Sequence, residues 1–354
     1  MESNYYAVIM AGGIGSRFWP VSTKKYPKQF HDMLGTGESL IQNTFNRINK
    51  LIPSRNILVA TNTNYENLVL EHLFKIKKDQ VLLEPVMRNT APCILYAALK
   101  IYNENPDALM LVAPSDHWIE NESDFLNNIQ LSFDACTEKD ILMTLGIEPE
   151  SPNTGYGYIQ FENDSLTVKK VKNFTEKPDI KKAEQFLNSG DFLWNAGIFV
   201  WSVKSIIKAF NEHLHEMVKV LDVPNIYNTE LEKTFIKDNY EKCQNISIDF
   251  GIMEHAQNVF VLPANFGWND IGTWGSLYHK LDKDNNNNAV VGAKTILNSS
   301  HGNMIRTENN KKVVIHGLDN FIIVEKDDIL LICPRDNEQE IKEIAANSIK
   351  KFKI

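Results

Sequence analysis

The chain is short of cysteine. Its 354 residues include only Cys93, Cys136, Cys243 and Cys333, far apart and with no CxxC pair. That argues against a disulfide framework and against structural zinc, and makes a reducing cytoplasm the expected location. Long apolar runs are missing as well. The best, residues 108–114 and 197–203, fall far below the roughly 18 residues of a membrane-spanning helix, so no membrane association is expected. The first six residues, Met-Glu-Ser-Asn-Tyr-Tyr, lack the basic start of a secretory leader. Glycine (17) and proline (13) are too sparse for a collagen-like or low-complexity chain. Positive charge is in deficit too. The balance of 37 Lys+Arg against 45 Asp+Glu is a formal −8, which argues against nucleic-acid binding.

What remains is an ordinary globular composition, 43% hydrophobic and 23% charged, at a length that suggests one large and one small domain. Through residue 146, short apolar runs alternate with helical patterns. Strands are expected near residues 5–11, 57–61, 81–83, 108–113 and 141–146. Helices are expected from Ser39 onward and near residues 65–74, 93–102 and 125–136. Such alternation indicates an α/β fold with a Rossmann-like, mixed but mostly parallel sheet and helices on both faces. Sheets of this kind bind ligands beyond the carboxyl ends of their strands. Further strands are expected at 156–161, 168–174, 197–203 and 259–263, with a helix at 180–188. The polar run Asp284-Asn285-Asn286-Asn287-Asn288 reads as a linker. It divides a catalytic domain, 1–284, from a small β-rich domain with a terminal helix, 285–354.

The strand ends carry the chemistry. Gly12-Gly13-Ile14-Gly15-Ser16-Arg17 follows the first strand and runs on to Pro27-Lys28-Gln29-Phe30. Glycines let backbone N–H groups approach an anion, and Arg17 and Lys28 add positive charge. Residues 1–30 carry four cations against one acid, Glu2, so this stretch is locally basic inside an acidic chain. The run is neither GxGxxG nor a P-loop; a tight turn beside a solvated basic loop is the plain alternative. Asp116 leaves the 108–113 strand as either a magnesium ligand or a turn cap. His117 beside it reads as structural. Glu176-Lys177 ends another strand, as part of a site or as an exposed ion pair. Trp194-Asn195-Ala196-Gly197 and Gly267-Trp268-Asn269-Asp270 complete the set, each with a structural turn or loop as its alternative.

In order and spacing these segments resemble the nucleotidyltransferases that make nucleotide sugars, specifically the mannose-1-phosphate guanylyltransferase (GDP-mannose pyrophosphorylase) family. The resemblance spans about residues 5–275 and rests on residues 11–20, 27–30, Glu84-Pro85, 88–92, 115–117, 174–178, 194–197 and 267–270. Phe18 stands where the family often has leucine, and Met87 where many members have glycine. The resemblance implies transfer of GMP from GTP to mannose 1-phosphate. Arg17 and Lys28 would neutralise the triphosphate and the leaving pyrophosphate, and Gly12, Gly13 and Gly15 would line the nucleotide phosphates. Glu84, Asn89 and Thr90 would read guanine. Asp116 and Asp270 would share a Mg²⁺, Lys177 would hold the sugar phosphate, and Glu176, Asn195 and the Gly157 backbone would take the sugar. The carboxyl-terminal part resembles the small left-handed β-helix of short members. A homodimer is left open. So are a different sugar 1-phosphate, such as a heptose, and a non-catalytic nucleotide-sugar sensor.

Overall fold

The fold was obtained as a computed structural model that describes residues 4–353. Met1, Glu2, Ser3 and Ile354 lie outside the described residues, among them three of the amino-terminal residues read above for a leader.

Fifteen strands are named in chain order: β1 Tyr5–Met10, β2 Ile57–Asn62, β3 Val81–Glu84, β4 Leu109–Pro114, β5 Trp118–Ile119, β6 Leu142–Ile147, β7 Tyr158–Phe161, β8 Lys169–Thr175, β9 Phe192–Ser202, β10 Val259–Ala264, β11 Trp268–Asn269, β12 Ala289–Asn298, β13 Met304–His316, β14 Phe321–Lys326 and β15 Ile329–Pro334. They fall into two compact units that do not follow a single cut in the sequence. The first comprises residues 4–12, Thr44–Ser115 and Ile119–Trp268; the second comprises Gly13–Asn43, Asp116–Trp118 and residues 269–353.

The first unit is built on a nine-stranded sheet in the order β3-β2-β1-β4-β9-β6-β10-β8-β7. Strands β1 to β4 are mutually parallel, β6 is parallel to β10, and β9 and β8 run against their neighbours. Successive residues of a strand face opposite sides, and β1 shows both sides covered. Tyr5 stacks on Phe133 of the helix Glu122–Glu138 at 4.1 Å. Tyr6 and Val8 instead enter the core formed with the helix Thr90–Glu104. Periodicity placed these elements to within a few residues. It missed the helices Val203–His213, His215–Leu221 and Glu232–Asn239. It also started β9 too late: Trp194-Asn195-Ala196-Gly197 is not a lead-in loop but part of that strand.

The second unit holds a stack of parallel coils. β12 pairs parallel with β13, and β13 with β14; Asn298 lies beside His316 and Met304 beside Ile322, a step of eighteen residues, before β15 closes the stack antiparallel. Asparagines hold the turns together. Asn288 Oδ1 accepts from the backbone N–H (3.0 Å) and Nδ2 (2.9 Å) of Asn303. Asn303 in turn accepts from Phe321 N–H at 2.9 Å and donates to the Leu318 carbonyl at 2.7 Å. Both side chains are essentially inaccessible, at 1% and 0%. The run read as a linker therefore ends in a buried structural residue, because an asparagine can satisfy two neighbouring turns at once. Asn303→Ala is expected to leave the Phe321 N–H and the Leu318 carbonyl without their partner and cost about 1–3 kcal/mol. Urea unfolding followed by far-UV circular dichroism would check this, and an unchanged midpoint would remove the asparagines from the account of the stack.

Candidate active site

In the second unit, the glycine loop after β1 is shaped by one close approach. Gly15 adopts φ +72°, and a Cβ built there would run into the Lys28 side chain. Only glycine combines that conformation with that contact. The approach seats Lys28, whose backbone N–H donates to the Ile14 carbonyl at 3.2 Å. The Lys28 ammonium is buried, and its three donors meet three acceptors: Asp116 Oδ2 at 2.9 Å, the Ile271 carbonyl at 2.6 Å and the Asp270 carbonyl at 3.2 Å. Phe18 lies beneath it, ring centroid 5.3 Å away, and packs edge-on against Trp274. Leucine at position 18 would fill this space without offering a ring face to the cation.

Burial by itself would push the Asp116 carboxyl up. The Lys28 ammonium, with His117 and the Lys28 hydrogen bond, outweighs it and holds the carboxyl below its ordinary value. Asp270 Oδ1 accepts from Gly272 N–H at 3.0 Å. Gly15, Arg17, Lys28, Asp116, His117 and Asp270 line one cavity of about 270 Å³. Among them Arg17 is the exposed cation. Among the described residues, no group of three or more His, Cys, Asp or Glu side chains is arranged to hold a metal. Two carboxylates on one cavity nevertheless fit Mg²⁺, which takes one or two protein carboxylates and completes its shell with phosphate oxygens and water.

The first unit contains two further groups. Gly12 stands with its Cα against Glu84, whose Oε2 lies 3.5 Å from a Cβ built at position 12. Tyr240 donates its hydroxyl to Glu84 Oε1. Burial pushes the Glu84 carboxyl up to about 7, against the pull of that hydrogen bond. The loop beyond β3 is tied to residues 241–248. Asn89 Nδ2 donates to Asn245 Oδ1 (2.7 Å) and Ile248 N–H to Thr90 Oγ1 (2.9 Å). Asn89 itself sits at φ 59°, ψ −161°, a region that only glycine enters without strain. Met87 is exposed.

Glu84 also dictates a pH dependence. Its folded-state pKa lies above the unfolded value, so its contribution is complete below the unfolded pKa and is lost as pH rises through about 7. Glu84→Gln is accordingly expected to raise stability at pH 8, by roughly 2 kcal/mol, with no gain at pH 4. Urea midpoints at both pH values would check it; a gain of the same size at both would show that the burial argument is wrong.

The other group gathers Gly157, Glu176, Lys177 and Asn195. Lys177 Nζ pairs with Glu176 Oε1 at 2.7 Å. The Glu176 carboxylate occupies the space that a side chain at Gly157 would need. Asn195 N–H donates to the Gly157 carbonyl at 2.8 Å, and its Nδ2 donates to Asp249 Oδ1 at 2.9 Å. Burial first, and the Glu176 charge second, push the Asp249 carboxyl up to about 7. The pair 176–177 is thus not a simple exposed ion pair, since the Glu176 side chain is only 9% exposed.

These groups fall inside a recognisable frame. The nucleotidyl transferase family model matches residues 6–287, and the MannoseP isomerase/GMP-like beta-helix domain matches residues 294–347. The mannose-1-phosphate guanylyltransferase of Escherichia coli is 33% identical over 356 residues, an alignment covering 97% of this chain and 75% of that protein. The chain belongs to the mannose-1-phosphate guanylyltransferase family. The alginate biosynthesis protein AlgA of Pseudomonas fluorescens is 35% identical over 346 residues, an alignment covering 96% of this chain and 71% of that protein. A crystal structure described as mannose-1-phosphate geranyltransferase from Thermus thermophilus superposes with a TM-score of 0.88 at 27% identity, covering 98% of this chain and 99% of that one.

As expected from the sequence, the fold is α/β with a β-helix-like carboxyl-terminal part. All four cysteines are free and buried, and no helix among the described residues is long and apolar enough to cross a membrane.

Three side chains around these groups escaped sequence reading: Tyr240, Asp249, and Glu254, whose Oε1 accepts the Glu176 backbone N–H at 3.2 Å. Asp249 opens the π-helical turn Asp249–Met253, and Glu254 caps it. Five residues apart, they would lie on different faces of an α-helix, so helical periodicity does not pair them. The available signal was an acid at each end of an otherwise apolar run.

Proposed function

We propose that the chain transfers GMP from GTP to α-D-mannose 1-phosphate, giving GDP-mannose and pyrophosphate. A phosphate oxygen of the sugar 1-phosphate attacks the α-phosphorus of GTP, and the bond to the pyrophosphate oxygen breaks in line. The nucleophile is already ionised, so no general base is needed; the task is to hold polyanions and stabilise charge. The observation that carries this reading is the cavity at Gly15 that puts two carboxylates, a buried lysine and an exposed arginine together, in a chain of this family.

Asp116 and Asp270 would hold Mg²⁺, which supplies positive charge to the nucleotide phosphates. Arg17 takes the leaving pyrophosphate. Lys28 sets the Asp116 carboxylate and the 270–271 carbonyls, and its charge adds to the same field. Backbone N–H groups of Gly12, Gly13 and Gly15 face phosphate oxygens. Glu84, Asn89 and Thr90 receive guanine, whose N1–H and N2–H₂ suit a carboxylate acceptor. Lys177 holds the sugar phosphate as a point charge, and Glu176, Asn195 and the Gly157 backbone take sugar hydroxyls. The division at 284/285, the cytoplasmic location and a homodimer belong to the same proposal.

The test is pyrophosphate release from purified protein with GTP, Mg²⁺ and a panel of sugar 1-phosphates. Mannose 1-phosphate should give the highest kcat/KM. Preference for a heptose phosphate would replace the substrate, and silence with every sugar would replace the enzyme with a sensor.

A further inference from the structure

Asn195 is held more tightly than a residue that only meets substrate needs to be. Its Oδ1 accepts from Thr144 Oγ1 at 3.0 Å and from Gly197 N–H at 3.1 Å, while its Nδ2 donates to Asp249 Oδ1. Rotating the carboxamide by half a turn would set its NH₂ against the Gly197 N–H and its oxygen against the Asp249 carboxyl. Gly197 N–H, which can only donate, therefore fixes the orientation, while the Thr144 hydroxyl is shared between Asn195 Oδ1 and the Ile198 carbonyl, and one Nδ2 hydrogen remains. The same short turn grips Glu176: Glu254 Oε1, just beyond Asp249–Met253, accepts the Glu176 backbone N–H at 3.2 Å. With Gly157 offering no side chain, the Glu176 carboxylate lies where a Cβ would be.

We propose that Asp249 is a positioning residue for the sugar 1-phosphate. It fixes Asn195 with one amide N–H left for a sugar hydroxyl, while the turn that carries it anchors Glu176 as the complementary acceptor. The proposal rests on the reading of Asn195 and Glu176 as sugar ligands. The charges acting on Asp249 are Glu176 and Lys177 from the loop after β8; β9 contributes the uncharged Asn195, and Glu254 at the end of its own turn holds the Glu176 backbone. Protonated, Asp249 still accepts from Asn195 through its carbonyl oxygen. Ionised, it places a second negative charge beside Glu176, which disfavours an anionic substrate.

The experiment is steady-state kinetics on the full chain with GTP and mannose 1-phosphate, for wild type, Asp249→Ala and Asp249→Asn, from pH 6.5 to 8.5. Asp249→Ala should raise KM for the sugar phosphate tenfold or more, with KM for GTP and kcat within twofold. Asp249→Asn keeps the acceptor without the charge. It should stay within threefold of wild type at pH 6.5 and lack the rise in sugar-phosphate KM that wild type shows above pH 7. Ionisation of the substrate is common to both proteins and cancels in their ratio. A change shared equally by both KM values, a loss in kcat alone, or an Asn profile parallel to wild type would each overturn the proposal. If Asp249→Ala does not fold, the Asn profile decides. Wild-type silence with mannose 1-phosphate would overturn the functional reading itself. An active wild type with an unchanged Asp249→Ala overturns this inference alone.

Discussion

Asp116→Asn is expected to lower kcat by on the order of 10²–10³-fold, the effect of losing about 3–4 kcal/mol of charge stabilisation in the transition state. The substitution keeps the volume and removes one of the two carboxylates on the cavity at Gly15. Equal volume by itself would lead one to expect little unfolding. The structure revises that expectation, because Asp116 is also the carboxylate paired with the buried Lys28 ammonium, whose other two acceptors are neutral carbonyls. Asparagine leaves that ammonium with neutral oxygens, and a cost of about 1–2 kcal/mol should accompany the kinetic loss. The pH dependence has a definite sign. The Asp116 carboxyl is held below its ordinary value, so its contribution is present above the unfolded pKa and lost as pH falls through the folded one. Wild type and variant should therefore differ in urea midpoint at pH 7 and converge in strong acid. Full activity in Asp116→Asn would remove this carboxylate from the reaction.

Lys28→Met should be the more damaging change for the protein as a whole. It leaves Asp116 without its cation and the Asp270 and Ile271 carbonyls without their donor. Breaking a buried pair from one side costs about 3–5 kcal/mol when both partners are fully buried. Asp116 is 32% exposed at its side chain, so about 3 kcal/mol is expected. Activity should fall at least 100-fold, since the loop carrying Asp270 loses its anchor along with the charge. Lys28→Arg should rescue little. The lysine stem passes directly against Gly15, and a planar guanidinium on that stem cannot reproduce three diverging donors. Urea midpoints and kcat for both variants check the prediction. If Lys28→Met keeps the wild-type midpoint while KM for GTP rises, Lys28 acts by touching phosphate and the positioning account falls.

How much of this was visible beforehand differs by element. The alternation of apolar runs and helical periods is local, and it located β1 to β4 and β6 with the helices between them, because one face of each element must be apolar whatever its neighbours are. The glycine loop, Asp116 and Asp270 were legible as types at strand ends, since only a few residue types carry phosphate and metal chemistry.

The structural role of Asn288 in the polar 284–288 run was hidden for a physical reason: an asparagine exposed in a turn and one buried between stacked turns look alike until the neighbouring coil supplies its partners. Asp249 went unread, since its significance lies in the carboxamide it meets on β9 and in a five-residue spacing that no regular period selects. Lys28 was read as a cation for phosphate; which anion it meets first depends on a residue 88 positions away, Asp116.

Composition, periodicity and ordered short motifs thus determined the fold class, the family and the residue types of the site. Tertiary structure alone decided which charges are paired, which carboxyls are pushed up to about 7 and which polar side chains are structural. Those properties depend on burial and on partners distant in sequence, and neither is a local property of the chain.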